Sequence, residues 1–443
     1  MRKFIYPSAR AAEAIPVEAL LRSRKKGSIL IWAWLFGLAL WPGSDLQAQI
    51  FSQARVVSVP IEQEELFYSP SAFVGFTRGG KMLLATNELG SQGGLYLRSL
   101  GQNMLPDGRL GWHFPDEFLQ SWVLHADGTL ALLLASVNPA DADANPEHPT
   151  RLDLVKIDSL GKTLFRQRLV GHQGRGPGAY WLAEKSDALL AWNGSRYSVY
   201  LDVERHWSEN GQSQVHSGDL FFQLDPSGRL IEGTKDMWGA SHSSQLQLAH
   251  GPQGQALTLT SADMFPFGLQ FRNYQERLRQ VIWPRQSPPD YLPQTTTDAG
   301  WPDGLWPTPE AVFATVSAPD QYPFDPYKGI FRLALLKIGY DGKLLEQYWL
   351  TPDDGVGRLI SCSVPVQDRF LLVWTEYRGS IQPEGAAHMA LVNRKGQIVR
   401  GPHRASFRAR PNTSAFLFPN GDIGLVGASY YGQCVEIVRI PKG

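Results

Sequence analysis

The chain has 443 residues and balances 42 Lys and Arg against 42 Asp and Glu. A net charge near zero argues against a general nucleic-acid or anionic-membrane binder, since both need a basic face. Two cysteines are too few for a disulfide-built scaffold, and plentiful Gly, Pro and aromatic residues suit an all-β protein.

The first segment reads as a leader. Arg22, Arg24, Lys25 and Lys26 precede the apolar run "ILIWAWLFGLALW", Ile29 to Trp41, which Pro42 and Gly43 break. The run has the length of a signal-peptide core and is short for a bilayer span; an uncleaved anchor is the competing reading. Leu46 and Ala48 suit the positions before a peptidase cut. The expectation is therefore a cleaved signal peptide over 1–48 and one mature domain over 49–443, without a membrane span, periplasmic or extracellular.

Two kinds of β-hairpin then alternate. "SAFVGFTRGGKMLLAT" (Ser71 to Thr86), "WVLHADGTLALLLAS" (Trp122 to Ser136), "LQLAHGPQGQALTLTS" (Leu246 to Ser261), the glycine-free "LISCSVPVQDRFLLVWTE" (Leu359 to Glu376) and "SAFLFPNGDIGLVGAS" (Ser414 to Ser429) read as strand, turn, strand. Between them, hairpins starting at Leu152, Leu220, Leu333 and Met389 have an apolar strand, a glycine turn and a more polar second strand. Glycine flanked by polar residues supplies the positive φ of tight hairpins. One hairpin of each kind makes a four-stranded meander of roughly 50 to 60 residues, the repeat of a β-propeller blade. A lone blade cannot cover both its faces, so blades stack around an axis.

Blade starts fall near Ser71, Trp122, Leu189, Leu246, the Trp301 to Ala311 region, Leu359 and Ser414. This predicts an all-β propeller of seven four-stranded blades, although spacing alone admits six to eight. A Pro-rich loop at about 284–309 hides the first strand of blade five. "ARVVSVPIE" before the first repeat and "CVEIVRI" at the end predict ring closure, with the N-terminal strand completing the last blade. A β-sandwich with long loops, or two β domains, is the rival architecture. Whether Cys362 and Cys434 pair is left open.

"HSGD" from His216 and "WGASHS" from Trp238 add His-x-Gly-Asp, Trp-Gly and Ser-His-Ser to the alternating hairpins. Together these resemble secreted bacterial β-propeller repeat proteins without an assigned activity. The motifs cover about a tenth of the chain, so the resemblance implies fold and export more than function.

In such a meander the a–b and c–d turns share one face of the ring, and the b–c and d–a connections share the other. The turns at Gly79-Gly80, Asp127-Gly128, Gln253-Gly254, Asn420-Gly421, Gly161, Gly228, Gly342 and Gly396 are tight, which predicts a plain face. The other connections are long, which predicts ligand binding there. His216 and Asp219 end the third blade's b–c loop. Trp238, Ser241 and His242 form the next d–a loop, and Asp263 belongs to the following b–c loop. These six are the ligand-binding candidates.

His216, Asp219 and His242 could hold a divalent metal or serve acid–base chemistry; equally, such residues hydrogen-bond loop backbone. No HExxH or paired CxxC is present, and no cofactor is required. "HQGRGPG" lacks the GK[ST] ending of a phosphate loop, and "NPADADANPEHP" lacks the glycine and distal glutamate of an EF-hand. Loop aromatics (Trp207, Trp238, Phe265, Phe267, Trp301, Trp306, Tyr322, Phe324, Tyr327) can stack on sugars or clamp peptides. The leading expectation is an exported monomeric binding scaffold for a glycan or a protein, without nucleic acid. The alternative is a hydrolase or lyase on a polymer, and a third is a structural module of an envelope complex.

Overall fold

The computed structural model describes residues 54–60, 72–77, 79–88, 93–108, 111–136, 151–171, 179–182, 188–209, 212–233, 246–262, 268–283, 300–319, 330–378, 386–408, 413–428 and 434–441. All belong to the unit Ser44–Gly443. The expected leader and most of the expected b–c and d–a loops lie outside them.

The first strand, β1 (Arg55–Pro60), belongs to the last blade. Blade one is β2 (Ala72–Phe76), β3 (Met82–Glu88), β4 (Gly94–Leu100) and β5 (His113–Pro115). Blade two is β6 (Glu117–Leu124), β7 (Leu130–Ser136), β8 (Arg151–Ile157) and β9 (Thr163–Val170). Blade three holds β10 (Ala179–Leu182), β11 (Ala188–Trp192), β12 (Tyr197–Glu209), β13 (Gln212–Leu224) and β14 (Leu230–Gly233). Blade four is β15 (Leu246–His250), β16 (Ala256–Ala262), β17 (Gly268–Asn273) and β18 (Leu278–Trp283). Blade five is β19 (Trp301–Pro307), β20 (Val312–Pro319), β21 (Phe331–Ile338) and β22 (Leu344–Trp349). Blade six is β23 (Gly357–Val366), β24 (Arg369–Tyr377), β25 (Ala386–Asn393) and β26 (Ile398–Arg408). Blade seven joins β27 (Ser414–Leu417), β28 (Ile423–Ala428) and β29 (Cys434–Ile440) to β1.

These are seven antiparallel blades of a β-propeller. The ring closes as the sequence predicts: β1 pairs with β29 from Arg55 opposite Arg439 to Pro60 opposite Cys434. Both cysteines are free thiols, Cys362 buried and Cys434 partly so. The tight turns use glycine as expected, with φ of 74° at Gly80, 86° at Gly128 and 85° at Gly421, a region that side chains with a Cβ avoid.

Central strands such as β3, β7 and β24 are buried along nearly their whole length, because neighbouring blades cover both their faces. The layers between blades are mostly aliphatic. Leu133, Leu154 and Val199 join blades two and three, Leu97 and Leu132 join one and two, and Leu259, Phe271 and Ala314 join four and five. Each fully buried leucine contributes roughly 2 kcal/mol, so burial is what chiefly holds these seams.

Three expectations are corrected. First, "ERHWSENGQSQVHSG" is not a loop. β12 and β13 are 13 residues each and stay paired out to Glu209 opposite Gln212, so Trp207, His216 and Asp219 are strand positions. β10 and β11 flank β12 end to end and share the innermost position of the blade, which therefore begins at Ala179. Second, the Pro-rich loop is shorter than expected, because β19 already starts at Trp301 and takes in Trp306. Third, the tight-turn face is not plain, as described next.

Candidate functional site

The seam between blades three and four departs from the aliphatic rule. Its buried apolar cluster is small, with Tyr200, Phe221, Leu246 and Ala256 at its centre. Strand alternation on β16 and β17 sends Leu257, Leu259, Leu269 and Phe271 toward blade five. The alternate positions Thr258, Thr260 and Gln270 are buried as well, and they carry polar atoms.

A chain of polar contacts crosses this seam. The Tyr200 hydroxyl donates to Asp219 Oδ2 at 2.7 Å. Arg272 of β17 reaches across from blade four and places Nη1 at 2.9 Å from the same oxygen, with Nη2 at 3.4 Å from Oδ1. The Asp219 side chain is 1% exposed and that of Arg272 12%. Tyr274 lies flat on Phe221 with ring centres 3.6 Å apart. Beside Arg272, Arg279 Nε donates to Gln270 Oε1 at 3.1 Å. Toward the tight-turn face, Ser198 Oγ and His250 Nε2 are 2.9 Å apart, and Asn193 Nδ2 donates to the Gly254 carbonyl at 2.9 Å. A buried polar network of this kind is high-stakes, since each group depends on its partner.

An open cleft of about 1230 Å³ runs from the tight-turn face into this seam. The a–b turns of both blades and the c–d turn of blade four frame it. Arg196, Arg272, Arg277 and Arg279 line it with Tyr274, Phe221 and six carboxamides, Asn193, Gln223, Gln253, Gln255, Asn273 and Gln275. Among the described residues its lining includes no carboxylate.

The c–d turn of blade four closes without glycine. In blades two, three, five and six the N–H that closes this turn belongs to Gly161, Gly228, Gly342 or Gly396. In blade one it belongs to Met104, with a φ of 68°, and in blade four to Arg277, with a φ of 51°. The left-handed region disfavours a residue with a Cβ by about 1 to 2 kcal/mol, so these two turns are strained where the other four are not.

Burial favours the uncharged forms of the seam's histidine and phenols. It lowers His250 to about 4 and raises Tyr274 to about 12. Burial, then the Asp219 charge, pushes Tyr200 well above its usual range. Burial opposes the Arg272 charge, but Asp219 and the two phenols outweigh it and hold the guanidinium protonated. A neutral histidine, two neutral phenols and a fixed ion pair are fit to orient a ligand; none is poised to move a proton near pH 7. The His250 shift has a measurable consequence. As pH falls from 6.5 to 4 the unfolded imidazole takes up a proton that the folded one refuses, so stability falls. Over that window wild type should lose about 2 kcal/mol more than His250→Gln, read by urea titration.

A second place holds unpaired polar atoms. In β19 the pairing with β20 slips between Pro302 and Gly304, leaving Asp303 as the bulged residue. Its Oδ2 is buried without a hydrogen-bond partner, as is Trp306 Nε1. Ser363 of blade six stands nearby, its hydroxyl 2.7 Å from Thr315 Oγ1, and a Cβ on Gly304 would lie 2.3 Å from that same Ser363 oxygen. Burial raises the Asp303 carboxyl to about 8. Burial, then Asp303, raises the thiol of Cys362.

Of the sequence candidates, Asp219 is the anchor of Arg272 in the seam. His216 is a β13 position opposite Arg205, with its side chain outside the described residues. Trp238, Ser241, His242 and Asp263 also lie outside them. Among the described residues, no group of three or more His, Cys, Asp or Glu side chains could hold a metal. Sequence reasoning missed Arg272, Arg277, Tyr274, His250 and Asp303. The available signal was the alternation in "LTLTSA" and "LQFRN": strands in the middle of a blade should be apolar on both faces, and these are not.

No protein-family profile matches the chain, and no curated protein sequence matches it. Among solved structures, it is similar to an ulvan lyase of polysaccharide lyase family PL25, at 12% identity over 73% of this chain and 78% of that one, with a TM-score of 0.44. It is also similar to a protein of unknown function from Dyadobacter fermentans, at 12% identity over 88% and 99% of the two chains, with a TM-score of 0.45. A puromycin hydrolase aligns at 12% identity over 84% of this chain and 56% of its own, with a TM-score of 0.46. None of these likenesses assigns a residue or an activity to the present chain.

Proposed function

We propose that this chain is an exported binding propeller that holds a glycan in the cleft between blades three and four. The supporting observation is the lining itself. Six carboxamides and several guanidiniums around a stacked tyrosine are the donors, acceptors and flat apolar surface that sugar hydroxyls and ring faces require. The absence of a proton-moving group among the seam residues described above favours binding over turnover. Glycan-array screening followed by calorimetry tests this reading: Tyr274→Ala should weaken the best saccharide about tenfold by removing the stacking face. A saccharide that binds wild type and Tyr274→Ala equally well would overturn it.

A second reading, an enzyme on a polymeric substrate, is favoured by Asp303, whose carboxyl stays protonated at neutral pH as a general acid must. Asp303→Asn abolishing turnover of a bound polysaccharide would establish it, and absence of any cleavage product with wild type would dismiss it.

A further inference from the structure

We infer that the cleft between blades three and four is specific for saccharides bearing an oxyanion, a uronate carboxylate or a sulfate ester, held at its mouth by Arg196 and Arg277. This rests on the glycan reading above and sharpens it. Three observations carry it.

The first is local charge. The whole chain is neutral, yet among the described residues the cleft is lined by four arginines and no carboxylate. Asp219 compensates Arg272 from beneath. Arg196 and Arg277 are exposed and make no ion pair among the described residues. The second is repulsion inside the wall. After burial, the charge of Arg272 is the next cause that lowers the neighbouring Arg279, and a bound anion would relieve it. The third is the strained turn. Where four other blades place glycine and blade one a buried Met104, blade four holds an exposed arginine in the left-handed region at the cleft mouth. A guanidinium placed there against the backbone's preference has a use that the turn itself does not supply. Its planar fork matches a carboxylate or sulfate by two parallel hydrogen bonds.

The test uses the full chain and three acidic hexasaccharides: galacturonan, alginate and chondroitin sulfate. Galacturonan and alginate are each paired with the methyl ester, and chondroitin sulfate both with desulfated chondroitin, which keeps its carboxylates, and with the methyl ester of that, which is neutral. At low salt at least one acidic form should bind about tenfold tighter than its neutral partner, and added NaCl should narrow the gap. Whether a uronate or the sulfate ester binds best identifies the oxyanion. Arg277→Gly should melt no lower than wild type, because it relieves the turn, yet lose about fivefold or more in affinity for the acidic form. Arg196→Gln should show the same loss, and each variant should weaken the acidic form more than the neutral one, narrowing the gap between them. Equal binding of charged and neutral partners would overturn the anion specificity while leaving glycan binding intact. No binding of any hexasaccharide would overturn both. Full affinity of Arg277→Gly for the acidic form would remove that arginine from the site.

Discussion

Asp303→Asn should stabilise the propeller at and above pH 8 and leave it nearly unchanged at pH 4. The unfolded carboxyl ionises near 3.8, the folded one only near 8. Between these values the folded chain keeps a proton that the unfolded chain has released, so wild-type stability falls as pH rises through the window. Each pH unit is worth about 1.4 kcal/mol. Solvent access to part of the residue reduces the total to on the order of 3 to 5 kcal/mol by pH 8. Asparagine reproduces the shape of the protonated acid without the charge. Urea denaturation of both proteins at pH 4, 6 and 8 should give curves that diverge upward in pH; parallel curves would show that the carboxyl ionises normally. Near Asp303, Trp306 Nε1 lacks a hydrogen-bond partner and no cation acts on the acid; the Ser363 hydroxyl favours the ionised form, but burial outweighs it.

Asp219→Ala should be the most damaging single change in the seam, costing about 3 to 5 kcal/mol. It strands a guanidinium that is 12% exposed and cannot neutralise itself, and it removes the acceptor of the Tyr200 hydroxyl. The double variant Asp219→Ala with Arg272→Met should recover much of this loss, since a buried pair replaced by apolar side chains is often near neutral. A double-mutant cycle read by urea titration checks both statements. Additive losses would mean that the two side chains do not act on one another. The two variants also separate stability from recognition: the double variant should fold yet lack the cleft floor.

The ring was legible because its turns repeat. Gly80, Gly128, Gly254 and Gly421 recur at the a–b turns and Gly161, Gly228, Gly342 and Gly396 at the c–d turns, and each supplies the positive φ of its turn without strain. Ring closure by β1 was legible from a lone strand at each end of the chain. The long hairpin of blade three was not, because Asn210-Gly211 was read inside a polar loop. That dipeptide is the strongest short hairpin signal, and the strands on either side continue their pairing up to it. The seam was missed for a related reason. Arg272 and Gln270 look like solvent-facing positions of an edge strand, and only the topology reveals that another blade covers them. Asp303 was missed because "PDG" in a proline-rich stretch reads as a turn, whereas here the aspartate is a bulge within the innermost strand.

The most direct measurement is a crystal structure of the protein with the best-binding saccharide of the panel. Sugar density should lie against Tyr274, with its oxyanion within hydrogen-bond distance of Arg277 or Arg196. Density on the opposite face of the ring, beside His216, with the seam between blades three and four empty, would contradict the account.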